Sequence, residues 1–158
     1  MKTLEIIGLI ALSLLVLLFV AFLLVRAYYG WRTSQMPEHS QFASGTAPTE
    51  LPNGSYKGTA TVSQGSWQGK KFDSATAAGI NVFAEGDKYE FKMSSAKGLT
   101  DPDKQVLKID YNLPSNPWWL RLVVDEVVQT GPNELLGKIQ INAIPSLPFT
   151  VGYFKLQK

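Results

Sequence analysis

An unbroken apolar block near the start of the chain gives way to a different hydrophobic period further on. Residues 6–25, IIGLIALSLLVLLFVAFLLV, carry no charged side chain. At about 1.5 Å rise per residue such a run forms a helix of roughly 30 Å, the hydrocarbon thickness of a bilayer. Leu, Ile, Val and Phe favour insertion, and the interrupting Gly8 and Ser13 are tolerated in membrane helices. The competing reading is a cleaved signal peptide, whose apolar region usually runs about 7–15 residues and ends at a small-x-small site. Here the run passes into Arg26, Ala27, Tyr28, Tyr29, Gly30, Trp31 and Arg32 with no clean site of that kind. Tyr28, Tyr29 and Trp31 between arginines are the residues expected at a membrane–water interface. Residues 1–32 are therefore expected to form a retained single-pass anchor.

Residues 33–54 lack apolar periodicity and are rich in Ser, Thr, Pro, Gly and Gln, a composition expected of a flexible linker. From Ser55 the pattern becomes short alternating segments separated by turn residues, the mark of strands. Segments 56–62, 67–73, 80–84, 88–93, 106–111, 135–142 and 149–156 fit this pattern. Glu85-Gly86-Asp87 is a hairpin turn, with Gly available for positive φ. Residues 118–129 carry opposed signals. Asn116-Pro117 and Gly131-Pro132 have the form of helix start and stop, whereas Val123, Val124, Val127 and Val128 favour strand. The strand reading is preferred. It puts Trp118, Leu120, Leu122, Val124, Glu126 and Val128 on one face.

About eight short strands in series predict an all-β domain over residues 55–158. Its expected form is a small antiparallel up-and-down barrel behind one N-terminal transmembrane helix, closed so that no sheet edge is exposed. At that size the interior holds packed side chains or one small ligand.

From Thr33 to Lys158 twelve Lys and Arg balance twelve Asp and Glu. A neutral domain without Arg clusters is a poor nucleic-acid binder. The absence of Cys excludes disulfides, thiolate catalysis and Cys-based metal sites. His39 is the sole His and falls in the linker, where it reads as a solvated spacer. Ser/His and Cys/His nucleophilic systems therefore have no base in the barrel. Asp101-Pro102-Asp103 lacks the further oxygens of a calcium loop, and no glycine set forms a phosphate loop. No catalytic residue, metal site or cofactor is expected. An enzyme working through Tyr, Asp or Glu alone is the least favoured alternative.

Trp67, Tyr89, Phe91, Tyr111 and Trp118 are the candidate lining of a ligand pocket, although aromatics also dominate any small core. Glu126 joins them if Trp118, Leu122 and Val124 face inward, since a buried carboxylate needs a partner or a raised pKa. The alternative sets Glu126 near a rim, in water or bonded to Lys138 or Arg121. Trp119, facing the other way, is a candidate membrane-interface residue with Tyr28, Tyr29 and Trp31.

Gly65-Ser66-Trp67 resembles the Gly-x-Trp element of lipocalins, and Ile109-Asp110-Tyr111 resembles their Thr-Asp-Tyr element with Ile replacing Thr. The resemblance covers two tripeptides. It implies a calycin-like barrel able to hold an apolar molecule.

The resulting expectation is a membrane-anchored barrel binding an apolar, lipid-like small molecule. Its partners are then the lipid bilayer, that ligand and a membrane protein. The alternative is a structural or assembly protein of a membrane complex with a filled barrel core. The positive-inside count, Lys2 and the amino terminus against Glu5 on one flank and Arg26 with Arg32 on the other, is near a tie or slightly favours placing the C-terminal side in the cytoplasm. Against that, a very short N-terminal tail before one span favours export, and the expectation is an exported domain on a bacterial inner membrane.

Overall fold

The computed structural model describes residues 2–158. Helix α1 spans Lys2–Ser34 and a short helix, α2, spans Pro37–Ser44. Eight strands follow: β1 (Gly54–Ala60), β2 (Trp67–Asp73), β3 (Ala78–Phe83), β4 (Gly86–Lys97), β5 (Gln105–Asp110), β6 (Val123–Gly131), β7 (Glu134–Ile141) and β8 (Phe149–Gln157). Each pairs antiparallel with its neighbours in sequence, and β1 closes on β8 through Lys57↔Gln157 to Ala60↔Phe154. The expected antiparallel up-and-down barrel is the observed fold. Closure leaves no unpaired strand edge, which matters for a chain this rich in β-branched and aromatic residues.

Alternation along each strand divides the barrel wall into two faces. Inward-facing Phe72, Met93, Leu107, Val127, Leu135 and Leu156 belong to one buried apolar cluster with Phe91, Ile109, Tyr111 and Phe154. Gly137 gives Phe154 its place, since a Cβ there would land within the Phe154 ring. Gly137→Ala is therefore expected to cost about 1–3 kcal/mol by overpacking, read as an earlier denaturant midpoint with an unchanged slope.

The outer face is covered on one side. Phe42 of α2 is 4 % exposed and packs with Val106, Val128, Leu136 and Tyr153. Lys138 Nζ stands 4.5 Å above the Phe42 ring. Lys104 Nζ donates to the carbonyls of Ala43 and Gly45 at 2.8 and 2.6 Å, satisfying the C-terminal end of α2. Glu38 pairs with Lys155 at 3.2 Å. His39 is exposed yet shares a 3.1 Å hydrogen bond between Nδ1 and the Tyr153 hydroxyl. Beyond α2, Thr46 and Gln129 exchange backbone hydrogen bonds of 3.2 and 2.7 Å. The segment expected to be a flexible linker is thus docked on the barrel. Its helix escapes a periodicity reading because it is eight residues long with one buried apolar anchor. Pro37, counted as a linker residue, opens that helix at its first turn.

Residues 118–129 obey both of their signals in succession. Pro117 accepts hydrogen bonds from the amides of Leu120 and Arg121, and Leu120–Leu122 forms one 3-10 turn before β6 begins at Val123. Trp118, Leu120 and Leu122 are accordingly not part of a strand face.

Helix α1 is the one helix among the described residues long and apolar enough to cross a membrane. Residues 3–21 are exposed, whereas its C-terminal part packs against β8. There Phe149 meets Phe22 edge-on at 5.8 Å and Tyr29 at 6.2 Å.

Candidate functional site

The barrel interior opens into a cavity at one end. This cavity, of about 480 Å³, lies between the starts of β2, β4 and β6 and the ends of β1, β3, β5 and β7. Its mouth is mostly apolar, formed by Ala60, Val62, Phe83, Tyr89, Trp119, Leu120, Val123 and Ile139, with Ser63 and Gln64 of the turn after β1 beside them. Its floor is polar, and there Lys70, Asn81, Tyr111 and Asp125 meet below Trp67 and Phe154.

The floor is assembled from three strands and the residue that follows β5. Lys70 and Asn81 are register partners on β2 and β3, while Asp125 on β6 faces Ile109 of β5. The Lys70 ammonium donates to Asn81 Oδ1 at 2.8 Å, to Asp125 Oδ2 at 3.1 Å and to the Tyr111 hydroxyl. Those three bonds use all of its hydrogens. The Tyr111 hydroxyl donates to Asp125 Oδ2 at 2.9 Å, and Trp67 Nε1 donates to Asn81 Oδ1 at 3.1 Å. Asn81 Nδ2 donates to the Tyr89 carbonyl at 3.1 Å. Both polar contacts of Asp125 fall on Oδ2, so Oδ1 has no protein partner among the described residues.

Four rings surround the same ammonium, with centroids at 4.8 Å for Phe154, 5.2 Å for Phe91 and for Tyr111, and 5.7 Å for Trp67. Their negative faces return part of the hydration Lys70 loses on burial. Burial lowers the Lys70 pKa, and the Asp125 charge and hydrogen bond oppose it. Burial, followed by the Asp125 charge, pushes the Tyr111 phenol well above its ordinary value, so it stays a donor. The floor is therefore a neutral, desolvated ion pair inside an aromatic ring set.

At the mouth, Tyr89 holds φ at +65°. It is the bulged residue of β4, since Ile80 pairs with Glu90 while Asn81 pairs with Lys88. A left-handed conformation at a bulky residue is uncommon and costs of order 1–3 kcal/mol. The bulge turns the Tyr89 ring onto Phe83 at 5.7 Å and Trp119 at 6.0 Å, building the rim of the cavity.

Of the candidates named from sequence, Trp67, Tyr89 and Tyr111 line the cavity. Phe91 lies among the Phe72 and Tyr111 rings, inside the core. Trp118 is 74 % exposed beside the mouth, and Trp119, 49 % exposed, forms part of the mouth itself. Tyr28 and Trp31 are exposed on α1. Glu126 is 1 % exposed but points away from the cavity, because β6 turns Val123, Asp125 and Val127 inward. It pairs with Lys138 at 3.2 Å, accepts from Gln140 Nε2 at 3.1 Å and accepts the Leu99 amide, all beneath the 98–103 loop. The Lys138 partnership is the one expected at a rim, but it is formed in a buried site.

The sequence reading missed Lys70, Asn81 and Asp125. The available signal was parity, since Asp125 sits between Val123 and Val127, and Lys70 lies two residues before Phe72. No family model, curated protein or solved structure matches the chain.

Proposed function

We propose that the protein is a single-pass, membrane-anchored barrel that holds one apolar, lipid-like molecule in the cavity below Trp119 and Tyr89. The observation that carries this reading is the cavity itself, mostly apolar at its mouth and large enough for a small ligand, at about 480 Å³. A filled core, which the assembly-protein alternative requires, would leave no such volume. The anchor reading draws support from the exposed Leu, Ile, Val and Phe of α1, which water would leave unsatisfied and a bilayer would not. A calycin-like relationship is compatible with this reading and is part of the proposal.

The floor narrows the ligand class. A carboxylate headgroup would meet an ammonium already engaged by Asn81, Tyr111 and Asp125. The free acceptor is Asp125 Oδ1, so the favoured headgroup is a hydrogen-bond donor such as an alcohol. Native mass spectrometry of the detergent-purified protein should therefore show a copurified lipid. N-phenylnaphthylamine should bind the full chain and be displaced better by a long-chain alcohol than by the acid of equal length. Ile139→Trp, which fills the mouth, should weaken probe binding at least about tenfold without loss of the fold. A bare mass together with unchanged probe binding in Ile139→Trp would exclude this cavity as a ligand site.

A further inference from the structure

The cavity, the exposed tryptophans and the apolar helix meet at one end of the barrel. Phe149, the first residue of β8, contacts Phe22 within the apolar run and Tyr29 just beyond it. Helix α2 lies further along β8 than this contact. Tyr153 meets His39 and Phe42, and Lys155 meets Glu38. Because every neighbouring pair is antiparallel, the Phe149 end also carries the starts of β2, β4 and β6 and the ends of β1, β3, β5 and β7. Those are the strand ends that line the cavity mouth.

Four connections lie at this end. Two of them, residues 111–120 and 142–150, contain no charged side chain, whereas the hairpin between β3 and β4 carries Glu85, Asp87 and Lys88. The first exposes Trp118 and Trp119 after Pro117, and the second carries half-buried Ile144 and Leu147 in Ile144-Pro145-Ser146-Leu147-Pro148. At the opposite end, the 98–104 loop carries Asp101, Asp103 and Lys104. Exposed tryptophans flanked by half-buried aliphatics, beside the point where a spanning helix leaves hydrocarbon, have the chemistry of a bilayer interface.

We infer that this rim is a second membrane-contacting surface. Trp118, Trp119 and the 144–148 loop sit in the interfacial layer of the bilayer that holds α1. The cavity mouth therefore opens against the leaflet, and the ligand passes between lipid and cavity without entering bulk water. The inference rests on the reading of α1 as a spanning helix. The occupant is lipid rather than a protein partner because the rim is continuous with α1 through Phe149. The route matters because each methylene carried through water lowers the partition by about fourfold.

The test uses the full chain in phosphatidylcholine nanodiscs, made either plain or with brominated acyl chains in part of the lipid. Trp31→Phe leaves Trp67, Trp118 and Trp119 as the emitters. Brominated lipid is expected to reduce the emission of this variant about twofold, because interfacial tryptophans lie within reach of the bromine. That quenching should vanish when Trp118→Phe and Trp119→Phe are added, with the far-ultraviolet spectrum unchanged. Trp118→Asp with Leu147→Asp should slow entry of N-phenylnaphthylamine from the disc into the cavity about tenfold, while the amount bound at equilibrium stays the same. Co-elution with discs combined with unquenched emission would overturn the inference and leave the anchor standing. Failure to co-elute with discs would overturn both. Entry as fast in the double Asp variant as in the wild type would equally exclude the leaflet route.

Discussion

Asp125→Ala is expected to lower the unfolding free energy by about 3–5 kcal/mol, the usual cost of leaving one member of a buried ion pair alone. The effect is large because Lys70 and Asp125 are both buried and the ammonium has no route to water through the packed far half of the barrel. Removal of the carboxylate also strips an acceptor from the Tyr111 hydroxyl, which burial keeps protonated. Lys70→Met should be damaging for the complementary reason. The double variant Lys70→Met with Asp125→Leu should recover most of the loss, since paired apolar replacements of a buried ion pair are commonly neutral or stabilising. Chemical denaturation of the full chain in detergent, followed by tryptophan fluorescence, measures all four forms. An Asp125→Ala variant within about 1 kcal/mol of wild type would mean that water reaches Lys70 through the cavity, and the desolvated floor would have to be abandoned.

A comparable loss of about 3–5 kcal/mol is expected from Glu126→Ala, by the same rule applied to the other side of the wall. Lys138 would then keep only Thr100 Oγ1, at 3.0 Å, as a hydrogen-bond acceptor in a buried position. The loop over it would also loosen, because the Leu99 amide loses its acceptor and Gln140 loses a partner. Glu126→Gln keeps the shape but offers the wrong hydrogen-bond pattern, since Gln140 Nε2 already points a donor at that oxygen. Its cost should therefore lie between wild type and Ala. Accelerated exchange of the Leu99 amide would locate the damage in the loop. N-phenylnaphthylamine binding should be unchanged in every folded Glu126 variant, because this carboxylate faces away from the cavity. Weaker probe affinity in folded Glu126→Gln would return Glu126 to the ligand site.

These two acids show how much of the molecule can be read from its alternation. The number of strands, their antiparallel order and their approximate bounds follow from period-two patterning and turn residues, which act locally. Parity also states that Asp125 and Glu126 point to opposite sides. It does not say which side is inside, because α2 and the 98–103 loop bury both. Trp118, Leu122 and Val124 share the Glu126 face by alternation and leave both an interior and a rim placement open; Val124 is in fact buried on the outer face. Lys70 was hidden for a different reason. A lysine next to Lys71 in a strand resembles a solvated pair until the carboxylate and aromatic rings that surround it are brought from distant strands. The ring contacts of Trp67 and Tyr111 were legible as candidate lining, whereas the bulge that aims Tyr89 depends on register with β3 and has no local signature.

The docking of α2 alters how the barrel can move. Only Gln35 and Met36 separate the two helices, and Thr33, Phe42 and Met36 are all at least partly buried. The barrel is consequently mounted on a short stiff post, with no swinging arm of twenty residues. If α1 spans a bilayer as proposed, the height of the barrel above it and its azimuth about α1 are set together with the fold. On the proposed reading such a unit would not ferry cargo across an aqueous gap; it would serve as a stationary port at one membrane face. Onward transport would fall to a different carrier that comes to it.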